Sequence, residues 1–353
     1  MKPLTAVALS GGIDSLMAAR FLAQQGYPVF GVHFCTGYET RTGPSPRQVA
    51  DLLSAQLDIP VMLMDVAAAF QHEVVNYFTA AYLSGSTPNP CMVCNPRIKF
   101  GTVLAFAIQN GAKRLATGHY ARIFRDAGGI CHLRKGADVL KDQSYFLARM
   151  TPQQLDRACF PLGEFTKSRV VEMAKAQGLM PIHSGESQDI CFIRGRNYGE
   201  FLAGQGGFTP EPGPVVDVRG NVIGRHSGLH LFTIGQRRGI NCPAAEPYYV
   251  VALDRQQNRL IVGFKSDLLT SSFRVSGINW IEPAPLSPIR VAVRVRYRST
   301  AVAATLIPEN THAAAILPDS SQSAITPGQG AVFYQEDVVL GGGWIEPPGG
   351  RTD

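Results

Sequence analysis

The sequence has no long uninterrupted hydrophobic run, and no short apolar segment of the signal-peptide kind follows Met1. A helix that crosses a bilayer needs about 20 mostly apolar residues, so the pattern predicts neither a membrane anchor nor a secretion signal. Hydrophobic residues make up 45% of the 353 residues and charged residues 17%, as in an ordinary folded protein. We therefore expect a cytoplasmic protein without a membrane partner.

Cysteine is scarce, and its number is odd. The seven cysteines are scattered through a long chain, which does not suit a disulfide framework, so some of them are expected to serve chemistry or bind a metal. Acidic residues are also fewer than basic ones, 27 against 33, and the net charge of +6 is compatible with an anionic partner without identifying one.

The strongest local motif is Ser10-Gly-Gly-Ile-Asp-Ser15, between a predicted strand at 4–9 and a predicted helix at 14–25. It lacks the Gly-x-x-x-x-Gly-Lys-Ser/Thr pattern of kinases and the Gly-x-Gly-x-x-Gly pattern of dinucleotide folds, which argues against simple γ-phosphoryl transfer and hydride transfer. The glycines let backbone N–H groups approach an anion, the serines add donors, and the helix N-terminus favours negative charge. The motif predicts a pyrophosphate site.

Short apolar runs alternate with helical patterns through roughly the first 200 residues, which predicts an α/β domain with a doubly wound parallel sheet. A Gly- and Pro-rich segment begins at Gly204, and short alternating strands begin near Ser272. We divide the chain into an ATP-binding catalytic domain at 1–203, a small central domain at 204–271, and a C-terminal β-barrel at 272–353.

Two cysteine segments are candidates for chemistry. Cys91 and Cys94 lie in a predicted Pro-rich loop before a predicted helix at 98–110, where Arg97 and Lys99 are expected to lower the thiol pKa. Cys191 lies in a short apolar run and is expected to meet them at the carboxyl edge of the sheet. A Cys-x-x-Cys pair alone also suits zinc or dithiol redox chemistry, although no fourth zinc ligand is evident.

Six motifs occur in one order along the chain: Ser-Gly-Gly-x-Asp-Ser, Thr-Pro-Asn-Pro-x-x-x-Cys-Asn, Ala-Thr-Gly-His-Tyr, Lys-Asp-Gln-Ser-Tyr-Phe-Leu, Asp-Ile-Cys-Phe and Thr-Ile-Gly-Gln-Arg-Arg-Gly. Over nearly its whole length the chain resembles the tRNA-specific 2-thiouridylases, a family with the PP-loop of ATP pyrophosphatases. The resemblance implies ATP and Mg²⁺ as cofactors, and tRNA and a sulfur donor, either a persulfide carrier protein or sulfide, as partners. It also implies adenylation of a uridine C2 oxygen, at wobble position 34, followed by replacement with sulfur.

The same resemblance assigns site residues. Cys94 attacks or relays sulfur at the base, and Cys191 carries a persulfide. The ATP contacts are Ala8, Leu9, Ser10, Gly11, Gly12, Ile13, Asp14, Ser15, Phe34 and Gly118, with Asp14 helping to organise metal and phosphate. The contacts to the target base and to tRNA are Asn89, Pro90, His119, Lys141, Asp142, Gln143, Arg296, Tyr297 and Gln329, and the central domain at 204–271 is expected to contact tRNA.

Cys91 departs from the family pattern, which usually has Asp at this position as a candidate acid/base. With Cys94 and Cys191 it could supply three thiolates to a [4Fe-4S] cluster whose fourth iron is open to sulfide. The alternative is persulfide chemistry without metal, with Cys91 as a resolving or spare thiol. Both remain open from the sequence.

The strand pattern at 290–298 predicts a basic face, with Arg290, Arg294, Arg296 and Arg298 on one side and apolar residues on the other. Such a face could contact phosphates, or be a merely solvated barrel surface. The segment Gln236-Arg-Arg238 is a second candidate for RNA contact. We also considered a PP-loop small-molecule ligase or amidotransferase and a non-catalytic tRNA-binding protein; the paired cysteines and the intact loop disfavour them.

Overall fold

The computed structural model describes residues 1–39, 43–182, 190–193, 198–205 and 209–348. Its strands form one five-stranded sheet, one four-stranded sheet, one eight-stranded sheet and a two-stranded ladder. The predicted fold class is confirmed, because a parallel α/β sheet is followed by a small β domain and then by a closed β-barrel.

The first sheet is parallel throughout. Its strands are β1 (Thr5–Ala8), β2 (Val29–Cys35), β3 (Val61–Asp65), β4 (Arg114–Ala116) and, after a hairpin of β5 (Ala121–Arg125) and β6 (Cys131–Lys135), β7 (Ala158–Cys159). The order is β3-β2-β1-β4-β7. The chain leaves β1 first toward β2 and later toward β4, so the carboxyl edge between β1 and β4 is a switch point of the kind where ligands bind.

Helices cover both faces of this sheet. Their bounds are Ile13–Gln24, Pro46–Leu57, residues 67–83, Pro90–Gln109, Ser144–Leu147, Pro152–Asp156, Lys167–Ala176 and Tyr198–Ala203. Strand β1 shows why both faces are covered: Ala6 and Ala8 belong to one apolar core, whereas Val7 and Leu9 belong to the other. A strand that is buried on both sides reads as an unbroken apolar run, as this one does in the sequence.

The central domain is a mixed four-stranded sheet. Its strands are β8 (Gly213–Asp217), β9 (Val222–His226), β10 (Tyr249–Asp254) and β11 (Arg259–Gly263), in the order β10-β11-β8-β9. Short 3₁₀ turns lie at Leu229–Leu231 and Lys265–Leu268. The domain encloses its own small core, formed by Val215, Phe232, Ile240, Val250, Leu260 and Val262.

The C-terminal strands are β12 (Leu269–Thr270), β13 (Phe273–Trp280), β14 (Ile289–Arg294), β15 (Val302–Asn310), β16 (Ala313–Pro318), β17 (Gln322–Ser323), β18 (Gly330–Gln335) and β19 (Val338–Ile345). Six of them form a barrel in the order β13-β16-β15-β14-β18-β19, and pairing of β13 with β19 closes it. The small strands β12 and β17 pair only with each other in the described residues.

The first domain and the barrel share a core that the linear division of the chain does not indicate. The β5–β6 hairpin extends the barrel sheet, because Arg134 of β6 pairs with Val338 of β19. Tyr145 of the first domain and Tyr334 of the barrel belong to the same buried cluster. The barrel is therefore packed against the site-bearing domain rather than attached through a linker alone.

The prediction of a basic strand at 290–298 is wrong in its second half. Strand β14 ends at Arg294, so the last two arginines of the pattern lie in the turn that follows. Arg290 binds Asp319 through both guanidinium nitrogens, and Arg294 turns inward to the buried Asp142, at 3.2 Å between Nη1 and Oδ2. Side chains alternate between two faces only while the chain is extended. Of the four arginines, Arg290 and Arg294 are held in ion pairs within the protein.

One helix among the described residues, Pro90–Gln109, is long and apolar enough to cross a bilayer by length and composition. One side of it packs in the first domain, where its buried apolar side chains belong to the main core: Met92, Ile98, Phe100, Val103, Leu104 and Ala107. A buried core helix passes the same length and composition test, so this helix is weak support for a membrane span.

Candidate active site

The phosphate loop has the geometry expected of an anion site. Gly11 has a φ of +81°, a conformation that glycine adopts without strain. Ser15 Oγ donates to Gly12 O at 2.8 Å, and the backbone N–H of Ser10 donates to Ser15 Oγ at 3.3 Å. The helix that follows begins at Ile13, directly at the carboxyl end of β1. The loop thus presents backbone and hydroxyl donors at a helix N-terminus.

Gly118 lies against this loop, where the sequence predicts an ATP contact. It follows β4, and a Cβ atom at this position would lie 2.7 Å from the backbone carbon of Asp14. Only glycine allows the two segments to approach this closely. Phe34, at the end of β2, is half-buried at the same edge of the sheet and packs against the main core. The predicted ATP contacts from Ala8 to Ser15 therefore lie beside the β4 loop.

Asp14 is already bound to protein groups. Lys167 Nζ donates to Asp14 Oδ1 at 2.6 Å and to Oδ2 at 2.8 Å, and Tyr120 Oη donates to Oδ1 at 2.7 Å. Lys167 begins the helix Lys167–Ala176 and is largely buried. The Asp14 carboxylate is thus ion-paired in this structure. Its partner Lys167 is a cation beside the phosphate loop that the sequence motifs did not indicate.

Cys91 and Cys94 lie in a helix, not in the predicted loop. The helix begins at Pro90, and the Asn89 side chain accepts from the Met92 N–H at 3.3 Å as its N-cap. Asparagine at N-cap followed by proline at the first helical position is a recognised start signal that predicts this boundary. We call the helix Pro90–Gln109 the cysteine helix.

The cysteine helix continues through a π-helical stretch, Asn95–Val103. In a π-helix residues five apart are about one turn apart, so this stretch brings Lys99 to the side of Cys94. A Cβ on Gly101 would lie 2.9 Å from Pro96 O, and Gln154 Nε2 donates to that carbonyl at 2.7 Å. A glycine and a side-chain donor thus accommodate the wide turn.

The thiols do not have the lowered pKa predicted from the sequence. Cys91 is solvent-accessible, yet the surrounding protein removes enough water to raise its pKa to about 11, and the nearby Cys191 adds to the rise. Desolvation raises the pKa of Cys94 to about 12, partly offset by Lys99. The prediction was wrong because burial outweighs the helix terminus and the neighbouring cation. Charge on Cys191 raises the pKa of both Cys91 and Cys94, so the three cysteines lie close enough to interact.

His119 connects the cysteine helix with the ATP-binding edge. Its Nε2 lies 3.4 Å from Lys99 Nζ, and its Nδ1 lies 2.7 Å from Thr117 Oγ1. Burial, reinforced by the Lys99 charge, keeps the pKa of His119 well below its usual value. A neutral ring that accepts from Lys99 would donate through Nδ1 to the Thr117 hydroxyl.

In the segment Lys141-Asp142-Gln143, the side chains of Asp142 and Gln143 bind other groups of the protein. Asp142 is buried and accepts from Gly136 N at 3.0 Å and Ser144 Oγ at 2.9 Å, besides its ion pair with Arg294. Gln143 Oε1 accepts from the Tyr120 N–H at 3.0 Å, which fixes the segment next to His119. Lys141 is half-buried at the start of the same turn.

Two of the predicted barrel contacts, Arg296 and Gln329, lie at one loop, and the third, Tyr297, packs on the first domain. Arg296 Nη2 donates to Thr326 Oγ1 at 2.7 Å and to Ala324 O. Gln329 Nε2 donates to the Thr87 and Pro88 carbonyls at 3.0 and 3.1 Å. Tyr297 packs on Phe146, with ring centroids 4.3 Å apart. In the central domain Arg237 and Arg238 are exposed and line an open groove.

A preformed metal site is not seen in the part of the chain that the structure describes: no three His, Cys, Asp or Glu side chains there are arranged to hold an ion. Mg²⁺ needs no such group, because it binds through substrate phosphates and one or two carboxylates, and Asp14 is the carboxylate at the phosphate loop. Asp189 of the Asp-Ile-Cys-Phe motif lies outside the described residues.

A parallel sheet with this phosphate loop, and with a cysteine helix at the same edge, defines the class of PP-loop nucleotide-binding proteins. A family model described as "tRNA methyl transferase HUP domain" matches residues 4–195, and models described as a PRC-barrel domain and an aminomethyltransferase β-barrel domain match residues 199–264 and 270–345. These descriptions mention methyl transfer, whereas the full-length relatives carry another name.

The chain is 52% identical to the tRNA-specific 2-thiouridylase MnmA of Desulfosudis oleivorans, covering 97% of this chain and 95% of the relative. It is 43% identical to the protein of the same name from Syntrophotalea carbinolica, covering 96% and 97% of the two chains. The chain belongs to the tRNA-specific 2-thiouridylase family. An NMN synthetase structure from Francisella tularensis aligns over 56% of this chain and 71% of its own, with 17% identity and a TM-score of 0.34, too little for any argument.

Proposed function

We propose that this protein is an ATP-dependent tRNA-uridine 2-sulfurtransferase, which replaces the C2 oxygen of a uridine, at wobble position 34, by sulfur. The observation that carries the proposal is the convergence of a phosphate loop and a cysteine helix at one edge of a parallel sheet. Membership in the 2-thiouridylase family supports the choice of substrate and product. The protein would work in the cytoplasm, without a membrane.

The first step is adenylation. The loop from Ser10 to Ser15 would hold the phosphates of Mg-ATP through backbone N–H groups and hydroxyls, and Phe34 would contact adenine. The uridine C2 oxygen attacks the α-phosphorus, pyrophosphate leaves, and the oxygen becomes part of a good leaving group. Lys167 is close enough to the loop to stabilise charge as pyrophosphate departs.

The second step transfers sulfur. The terminal sulfur of a persulfide on Cys191 attacks C2, and AMP leaves with the original oxygen. The Cys94 thiolate then attacks the Cys191 sulfur, so that the transferred sulfur gains the bonding electron pair as the thiocarbonyl and a Cys94–Cys191 disulfide remains. An external dithiol must reduce this disulfide, and a persulfide carrier or sulfide must reload Cys191. Cys94 must react as the thiolate; desolvation opposes that form, and the positive charge of Lys99 favours it.

The base would lie between the cysteine helix and the β4 loop. Asn89 and Pro90 begin the helix on one side, and His119 and Gln143 lie on the other. Lys141, Asp142, Arg296, Tyr297 and Gln329 would shape the surrounding tRNA surface, with Arg237 and Arg238 as further phosphate contacts. The second proposal from the sequence is a [4Fe-4S] cluster, which Cys91, Cys94 and Cys191 would hold; the charge interactions among these thiols are compatible with neighbouring ligands.

The test measures iron, acid-labile sulfide and tRNA thiolation on protein purified without oxygen, before and after chelation, together with tRNA-dependent exchange of pyrophosphate into ATP. Metal-free protein that thiolates tRNA supports the persulfide route. Near four irons per chain with chelator-sensitive activity would replace it by the cluster route. Exchange that proceeds without tRNA but requires a small molecule would instead identify a ligase.

A further inference from the structure

The Gln329 side chain joins the barrel to the cysteine helix. Its Nε2 donates to Thr87 O at 3.0 Å and to Pro88 O at 3.1 Å, although the residues are more than 240 positions apart in the chain. These carbonyls belong to the two residues before Asn89, the N-cap of the cysteine helix. One barrel side chain therefore binds the backbone from which this helix starts.

The residues around Gln329 hold the same segment from other sides. Thr87 N donates to Pro327 O at 2.8 Å. Gly328 has a φ of +84°, and a Cβ there would lie 2.8 Å from Ser86 Cβ. A Cβ on Gly330 would lie 2.2 Å from the sulfur of Met92, the buried residue that follows Cys91. The barrel loop at 326–330 is thus packed against both the approach to the helix and its first turn.

The same loop receives Arg296, which donates to Thr326 Oγ1 at 2.7 Å. Arg296 and Gln329 are the barrel residues for which the sequence predicts tRNA contacts. Both side chains are hydrogen-bonded within the protein, and Gln329 binds the two carbonyls that precede the N-cap of the cysteine helix. A ligand that draws either side chain away from the loop would change what holds the helix start.

We propose that Gln329 is a positioning residue for sulfur transfer, because it fixes the start of the cysteine helix and couples the barrel surface to Cys91 and Cys94. The inference rests on the proposed function for the role of the cysteines, and it goes beyond a tRNA contact. Helix ends fray unless their polar groups and the preceding chain are bound, and both cysteines lie in the first two turns.

The experiment compares Gln329→Met with the wild-type chain, without ATP or tRNA. Methionine keeps the length of the side chain and removes the donor. Gln322→Met is the matched control, because the side-chain bonds described for Gln322 go only to Ser320, two residues earlier. Hydrogen exchange of peptides covering residues 87–94 and the alkylation rates of Cys91 and Cys94 are measured by mass spectrometry. Neither readout depends on sulfur transfer, so the result stands even if the proposed function fails.

Loss of one net hydrogen bond changes a local opening equilibrium by about fivefold, and Gln329→Met removes two, so the variant is expected to speed exchange in 87–94 and cysteine alkylation by at least that factor. Gln322→Met should change neither. In thiolation assays, a positioning role lowers kcat at saturating tRNA, whereas a pure tRNA contact raises the KM for tRNA and leaves kcat unchanged. Unchanged exchange and alkylation in Gln329→Met would overturn the proposal, whatever happens to tRNA affinity.

Discussion

Lys167 Nζ lies 2.6 Å from Asp14 Oδ1, although 153 positions separate the two residues in the chain. The contact joins the first turn after the phosphate loop to the start of the helix Lys167–Ala176. It places a cation beside a predicted pyrophosphate site and neutralises the carboxylate that would otherwise repel phosphate. The two helices pack on the same face of the sheet, where Leu16 of one helix and Val170 of the other belong to one apolar core.

Lys167→Met is expected to raise the KM for ATP about tenfold, equivalent to about 1.4 kcal/mol. The variant removes a positive charge beside the loop that would hold the triphosphate. The measurement is the ATP dependence of pyrophosphate exchange in the presence of tRNA. Lys175→Met, on an exposed position of the same helix, should leave the KM unchanged. Lys167→Arg, which keeps the positive charge, should leave the KM near the wild-type value; a rise as large as in Lys167→Met would contradict loss of charge as the cause.

Cys94→Ser is expected to lower tRNA thiolation at least about a hundredfold, while tRNA-dependent pyrophosphate exchange continues. The physical reason is that adenylation uses the phosphate loop, whereas the following step needs the sulfur of Cys94. Thiouridine content and exchange are measured on the same preparation. Cys242→Ser in the central domain serves as the control and should retain both activities. Loss of exchange together with thiolation would mean that Cys94 shapes the ATP site instead.

Gly118→Ala is expected to lower the free energy of unfolding by about 1–3 kcal/mol and to weaken ATP binding. The added methyl would lie 2.7 Å from the backbone carbon of Asp14, which cannot move without shifting the phosphate loop. Denaturant unfolding and ATP titration measure the two effects. Gly204→Ala is the matched control, because its nearest neighbour would lie 3.4 Å away. Equal stability of the two variants would show that the loop has room for a side chain.

His132 makes a pH-dependent contact between the β5–β6 hairpin and the barrel. Its Nδ1 lies 2.7 Å from Glu282 Oε1, and its Nε2 lies 3.4 Å from Asp126 Oδ2. The hydrogen bond to Glu282, helped by that to Asp126, raises the pKa of His132 above its usual value. The stability from the charged ring is therefore present below the unfolded pKa of about 6.5 and lost as pH rises through the higher folded value.

His132→Asn is consequently expected to lower the melting temperature more near about pH 6 than near about pH 9. Thermal unfolding of both proteins at the two pH values measures the difference. His312→Asn is a suitable comparison, because the contact described for His312 is to the Ile278 backbone carbonyl. A destabilisation that is the same at both pH values would show that the His132 ring acts through packing rather than charge.

The first half of the fold could be predicted because its signals are local. Periodic apolar runs predicted β2 at residues 29–34 and the helix at 46–57, and the structure has Val29–Cys35 and Pro46–Leu57. The cysteine helix was predicted to begin eight residues too late, since Pro-rich sequence was interpreted as loop although Asn89 and Pro90 form a helix start. The period of two at 290–298 failed where the chain turns after Arg294.

The candidate site was predictable in its loops and cysteines, but not in its electrostatics. The motifs indicated Gly118 as an ATP contact and Cys191 as a neighbour of Cys91. In the structure Gly118 lies beside the phosphate loop, and Cys191 is close enough to Cys91 to raise its pKa. They did not indicate Lys167, because its partner Asp14 is distant in sequence. The π-helical turn that brings Lys99 toward Cys94 could have been suspected from Pro96 and Gly101, since a proline within a helix disturbs its hydrogen bonds.

By itself, the sequence determined the class of fold and supplied the candidate reactive groups, because strand periodicity, the glycine turn and the Cys-x-x-Cys spacing are local properties of the chain. Only the tertiary structure decided how those groups behave. Burial raises the pKa of Cys94 against the pull of Lys99, Asp142 is enclosed with Arg294, and Gln329 binds the start of the cysteine helix. Desolvation and long-range contacts depend on which distant segments pack together, which local pattern does not encode.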